Sequence, residues 1–228
     1  MKRLTQLVLA IMAVGCLVFV NTTNAAILAQ ADFGITEGTD VSPFSTDYIP
    51  FPPGSPTPGH YGVAKSGAGN NWSSFDWGGL DHTNPGTGCF MVVDGSSNSN
   101  MIVLSYTTNT VAGSAYTLNG WAQTVQSNNG PDVVLSFRVN GVEVDTFTFS
   151  GNNEWVWHPF TLSYTTAFSG PTAFSLHDNT TSWGMNDFGL DDLVLSGPIA
   201  PIPEPTTILL LGSGLLGGGS LFRRRLKK

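Results

Sequence analysis

Between Ala26 and Ser196 the apolar residues come in short runs, many alternating with polar ones, and Gly, Asn, Ser and Pro bound each run. Long stretches with the 3.6-residue period of an amphipathic helix are hard to find, so the pattern predicts strands. We place them near 27–33, 88–94, 101–107, 115–124, 132–139, 142–149, 155–165, 172–177 and 188–196. The clearest is DVVLSFRVNGVEVDTFTFS, where Val133, Leu135, Phe137 and Val139 share one face. Asn140-Gly141 supplies the two positive-φ positions of a type I′ hairpin turn. On the second arm the apolar parity switches after Val144, to Phe147 and Phe149, so either a bulge intervenes, the reading we prefer, or the strand buries both faces in turn. Between about Thr39 and Thr87 the pattern is poor, with a proline-rich FPPGSPTPG and an aromatic, turn-rich stretch, and we expect long loops there. Many short strands with turn signals between them, and no internal repeat, predict a single all-β sandwich or jelly roll.

The ends read differently. Lys2 and Arg3, an apolar run from Leu7 to Val20 and the sequence Thr23-Asn24-Ala25 predict a secretory signal peptide over 1–25, cleaved near Ala25; an uncleaved anchor is the alternative. The β-domain then occupies 26–196 and a linker 197–205. An apolar segment follows over 206–222, about 25 Å long as a helix at about 1.5 Å per residue, just enough to span a membrane. The basic tail 223–228 stays cytoplasmic by the positive-inside rule.

Charge narrows the partners. Within 26–200 only Lys65 and Arg138 are basic, against fifteen acids, a formal charge of −13. That field repels phosphate backbones and excludes nucleic acid as a partner, while a neutral glycan or calcium suits it. Cys89 is the one cysteine after the signal, so no intrachain disulfide forms, and its apolar neighbours predict a buried thiol. No nucleophile elbow, paired-His zinc motif or phosphate-cradling loop occurs, and His60, His82, His158 and His177 are scattered, which predicts structural histidines and a protein that is not an enzyme. A glycan-active hydrolase remains the enzymatic alternative, because acids are plentiful.

Two constellations merit description. In HDNTTSWGMNDFGLDDLVLS the oxygen ligands Asp178, Asn179, Asp187, Asp191 and Asp192 crowd together, which suits calcium. Adjacent Asp191 and Asp192 are expected on opposite faces of a strand, one of them inward; turn formation and strand capping by these residues is the alternative. Among the tryptophans, Trp72, Trp77 and Trp183 sit amid Asn, Ser, Asp and Gly, the company of a glycan-binding loop, or equally of a loop pinned to the sandwich. Trp121 belongs to an alternating strand and reads as core; Trp155 and Trp157 share a strand face.

GCFMVVDGS, AYTLNGWAQ and NDFGLDDLVLS resemble the galactose-binding-like jelly rolls shared by many carbohydrate-binding modules, over roughly 27–196. That resemblance implies a structural calcium where the first strand meets the last, with Asp192 the leading ligand, Asp191 second and Asp32 third. The order Pro203-Glu204-Pro205, apolar segment, then Arg223, Arg224 and Arg225 resembles the PEP-CTERM sorting signal of Gram-negative bacteria. It implies recognition by an exosortase, removal of the tail, transient anchoring in the inner membrane, and delivery to the cell surface or extracellular matrix. A permanent C-terminal anchor is the alternative. The function expected is a structural or adhesive role at the surface or in a biofilm matrix, with a carbohydrate-binding module for extracellular polysaccharide as the alternative.

Overall fold

The computed structural model describes residues 25–51, 57–66, 78–125, 130–152, 155–180 and 186–200, and no helix occurs among them. Eleven strands follow in order: β1 (Ala26–Ala31), β2 (Ile49–Pro50), β3 (His60–Ala64), β4 (Phe90–Asp94), β5 (Ile102–Thr110), β6 (Ala115–Thr124), β7 (Val133–Val139), β8 (Val142–Phe149), β9 (His158–Thr165), β10 (Gly170–Asp178) and β11 (Phe188–Gly197). They form two sheets. The larger runs β2-β3-β4-β11-β6-β9, with β1 added beside β11, and the smaller runs β5-β10-β7-β8. All strand pairs are antiparallel except the short β2–β3 pair. The fold is the all-β sandwich that the periodicity predicts.

Alternation explains the layering. Met91 and Val93 of β4, Leu118 of β6 and Leu190, Leu193 and Leu195 of β11 face Leu104, Leu135, Phe137, Phe174 and Leu176 of the smaller sheet in one buried cluster. Cys89 is fully buried among them, and burial pushes its thiol pKa up. A second, smaller cluster of Phe51, Ala64, Phe90, Val92 and Val125, with Trp157 against it, lies on the other face of the larger sheet. β4 is therefore buried on both faces.

The Asn140-Gly141 turn forms with φ of 50° and 81°, the left-handed values that the type I′ reading requires. The predicted bulge is present too. Phe137 pairs with Asp145 and Arg138 with Glu143, so Val144 is the extra residue. Two strands lie where loops were expected: β2, and β3, whose HYGVA is short, interrupted by a glycine and buried from Tyr61 to Ala64. A strand covered on both faces has no alternation to betray it. β9 starts at His158 rather than near 155, because Trp155 has a φ of 60° and does not continue an extended strand.

The feature that builds the site is a break in β11. Asp191 pairs with Trp121 and Val194 with Asn119, so Asp192 and Leu193 together oppose Gly120. Asp192 has a φ of 50°. This bulge returns Leu193 to the core one residue later than strict alternation from Leu190 allows.

Candidate functional site

Because of the bulge, Asp191 and Asp192 do not point to opposite faces. Both carboxylates meet His82, outside the main core. Asp191 Oδ2 accepts a hydrogen bond from the His82 backbone N–H at 3.0 Å, and Asp192 Oδ2 accepts one from the His82 ring at Nδ1, 2.8 Å away. The Thr83 hydroxyl donates to the same Asp192 oxygen at 2.5 Å. The His82 ring stacks on Trp121, centroids 3.8 Å apart, and meets Trp157 edge-on. Trp121 is thus half-buried on the outer face rather than in the core, the parity of β6 having sent Leu118 and Ala122 inward. Trp157 donates its indole N–H to the Leu80 carbonyl at 2.9 Å and packs edge-on against Phe90.

Asp191 is fully buried, and desolvation pushes its carboxyl up to about 8, against the hydrogen bonds from His82 and Asp192 that favour its charge. Buried Asp81 accepts from the Asn84 amide, and a Cβ on Gly88 would fall 2.4 Å from its carboxyl carbon. Gln123, also fully buried on this face, has both side-chain polar atoms unpartnered.

A second group of acids lies where β4 ends and β11 begins. Asp94 hydrogen-bonds through its carboxyl to Asp187, an arrangement that requires one proton between them. Burial first, and the Asp187 charge second, push Asp94 up to about 8. Asp178, at the end of β10, accepts from Asn186 Nδ2 at 2.7 Å and from the Thr180 amide at 2.8 Å, and burial raises it to about 7. The buried Tyr48 hydroxyl faces this group; burial first, and the Asp178 charge second, push its ionisation far up.

The calcium ligands expected from the sequence are not assembled as one cage. Ala31 pairs with Leu193, which brings the backbone of Asp32 beside that of Asp192. The side chains part, however: Asp32 Oδ1 accepts from the Gly34 amide at 3.2 Å, while Asp191 and Asp192 are turned to His82 and Thr83. Among the described residues no group of three His, Cys, Asp or Glu side chains is placed to hold a metal. N–H and O–H donors occupy the positions a cation would take, so Asp32, Asp191 and Asp192 in this arrangement do not fit calcium.

Trp72, Trp77 and Trp183, and the tail residues Pro203, Glu204, Pro205, Arg223, Arg224 and Arg225, lie outside the described residues. Among the described residues Ser175 Oγ contacts His177 Nε2 at 3.0 Å, both residues are buried, and desolvation lowers the histidine pKa. His82, Asp94 and Gln123 had no motif to mark them, whereas Asp187 stood in the acid-rich run 177–196. The only trace in the sequence was a parity conflict in FGLDDLVL, where an apolar residue follows two acids instead of one.

Residues 201–225 match the PEP-CTERM protein-sorting motif. A motif of this kind marks an exported protein of the cell envelope or surface. No curated protein matches the chain. Among solved structures, the CBM22-1 xylan-binding domain of Paenibacillus barcinonensis Xyn10C is similar at 12% identity, covering 79% of this chain and 99% of its own, with a TM-score of 0.48. The CBM36-1 domain of a multidomain xylanase from the hindgut metagenome of Trinervitermes trinervoides gives 17%, 78%, 100% and 0.37. The Stig cyclase Fisc of Fischerella sp. TAU gives 13%, 78%, 100% and 0.45. These likenesses are too distant to transfer a ligand or a reaction, and function rests on the residues of this chain.

Proposed function

We propose that this chain is a non-enzymatic protein of the cell surface or extracellular matrix, in which the sandwich has a structural or adhesive role. The observation that carries this reading is the sorting motif over 201–225, which begins a few residues after β11 ends at Gly197. An exosortase reads Pro203-Glu204-Pro205 while the apolar segment is held in the inner membrane, removes the tail and releases the domain outward. The buried Ser175–His177 pair is closed to any substrate, in keeping with a role without turnover. A peptide tag placed after Lys228 tests the sorting step. Loss of the tag from the surface-exposed product is expected, and a mature protein still carrying it overturns the reading.

A second reading, a module that binds extracellular polysaccharide, is favoured by one observation: aromatic rings remain partly exposed on the outer side of the larger sheet, where Trp121 and Trp157 are half-buried and Trp155 is exposed. Retention of the protein by a polysaccharide matrix, measured on gels containing neutral glycans, tests it.

A further inference from the structure

The exposed aromatic with the most unusual backbone is Trp155. Its φ of 60° lies in the left-handed region, which a bulky side chain enters only at a cost. Nothing in its burial demands this, since 47% of the residue remains accessible to solvent. The backbone is held there by the Trp155 N–H donating to the Thr124 carbonyl at 3.2 Å. The indole N–H donates to the Val125 carbonyl at 3.3 Å, and the Gly78 amide donates to the same oxygen at 2.8 Å.

Gly78 also backs the ring. A Cβ on Gly78 would lie 1.9 Å from Trp155 Cε2 and 2.2 and 2.3 Å from Nε1 and Cζ2. A point above a ring carbon sees its bonded neighbours slightly farther away than the carbon itself, as here; a point beyond the ring edge would see them nearer. The glycine therefore covers one face of the indole, while about half of the residue as a whole stays accessible to solvent. Leu80 and Val156, both exposed, flank the same turn in sequence and across the Trp157–Leu80 hydrogen bond.

We propose that Trp155 is a preorganised stacking platform for a neutral pyranose of an extracellular polysaccharide. This inference rests on the carbohydrate-binding reading above. The chemistry is specific to that class of occupant: an indole backed on one face and tethered at its N–H offers a rigid apolar plane, which matches the C–H face of a sugar ring. Charge decides between neutral and anionic sugars. The two basic residues of the span 26–200 are Lys65 and Arg138, and Arg138 is engaged with Asn179 and Ser136 on the smaller sheet, so the acidic excess of the span opposes an incoming polyanion.

Affinity electrophoresis of the full chain in gels cast with neutral xylan, β-glucan or galactomannan, and with anionic alginate, tests the proposal. The variants are Trp155→Gly, Trp155→Phe and wild type. Glycine adopts a φ of 60° without strain, so Trp155→Gly is expected to keep the wild-type melting temperature within a few degrees while its affinity for a retarding neutral glycan falls at least tenfold. Trp155→Phe, which keeps a ring, is expected to retain part of the binding. Retardation of Trp155→Gly equal to wild type overturns the platform and leaves the carbohydrate reading standing. Equal retardation in alginate overturns the neutral preference. Absence of retardation of the wild type in every gel overturns both readings, and concentration-dependent self-association of the wild type that Trp155→Gly abolishes assigns the patch to protein contacts instead.

Discussion

His82 lies almost flat on Trp121, with ring centroids 3.8 Å apart and planes 23° from parallel, while its Nδ1 reaches Asp192 110 residues away in the chain. One side chain thus joins the loop before β4 to the centre of β6 and to the bulge of β11. Replacing it by alanine removes an aromatic stack and a hydrogen bond to a partly exposed carboxylate. His82→Ala is expected to destabilise the domain by about 1–2 kcal/mol. Denaturant unfolding of His82→Ala, Asp192→Asn and the double variant checks this, and strictly additive losses would show that the pair is not coupled.

Gly120 faces the two residues that bulge from β11. A Cβ there would meet Leu193 Cδ2 at 2.4 Å and Phe160 Cζ at 2.8 Å, both inside the core. Gly120→Ala is therefore expected to cost about 1–3 kcal/mol through overpacking. A melting temperature equal to wild type would show that the bulge moves freely to make room.

The hairpin turn offers a smaller, local test. Gly141 has a φ of 81° and open space where a Cβ would stand, so only backbone strain opposes a side chain. Gly141→Ala is expected to lose about 1 kcal/mol, measured by the same unfolding titration, with no change in the m-value.

The buried acids set a pH dependence opposite in sign to that of paired carboxylates. Asp94 and Asp191 are pushed up to about 8 and Asp178 to about 7, all above the usual 3.8 of an aspartate. The native state therefore holds protons that the unfolded chain releases, and stability falls as pH rises from about 4 to about 8. The contribution is fully present below the unfolded pKa and lost above the folded one. Each unit of separation corresponds to about 1.4 kcal/mol for an isolated group, an upper bound for groups that share a proton. Asp94→Asn is expected to flatten part of the slope between pH 5 and 8; a stability that instead climbs steadily to pH 8 would contradict the protonated Asp94–Asp187 pair.

Metal removal separates the sequence expectation from the structure. With Asp191 and Asp192 bound to His82 and Thr83, addition of a chelator is expected to leave the unfolding midpoint unchanged. A lowered midpoint, restored by calcium, would mean that these acids abandon their protein donors for the ion.

Much of the architecture was legible because it is local. Short apolar runs bounded by turn residues mark the strands from β4 to β11, with period-two alternation clearest in β7, Asn140-Gly141 demands a left-handed turn whatever surrounds it, and the parity switch after Val144 announces a bulge before any partner strand is known. The charge balance and the Pro203-Glu204-Pro205 tail are equally readable, since they depend on composition and order alone. β3 was not legible, because a strand buried on both faces carries no alternation and Gly62 breaks the continuous apolar run that reveals β4. The site was not legible either. Strict alternation separates Asp191 from Asp192, and the left-handed φ of Asp192 with the register of β11 against β6 brings them together; Trp121, expected in the core, instead follows the parity of β6 that buries Tyr116, Leu118 and Ala122, and faces outward. The meeting of His82 with Asp192 and of Asp94 with Asp187, and the backing of Trp155 by Gly78, join segments far apart in sequence. Periodicity reports which side of its own strand a residue takes; which distant residue waits there is decided only when the strands pair and the sheets pack.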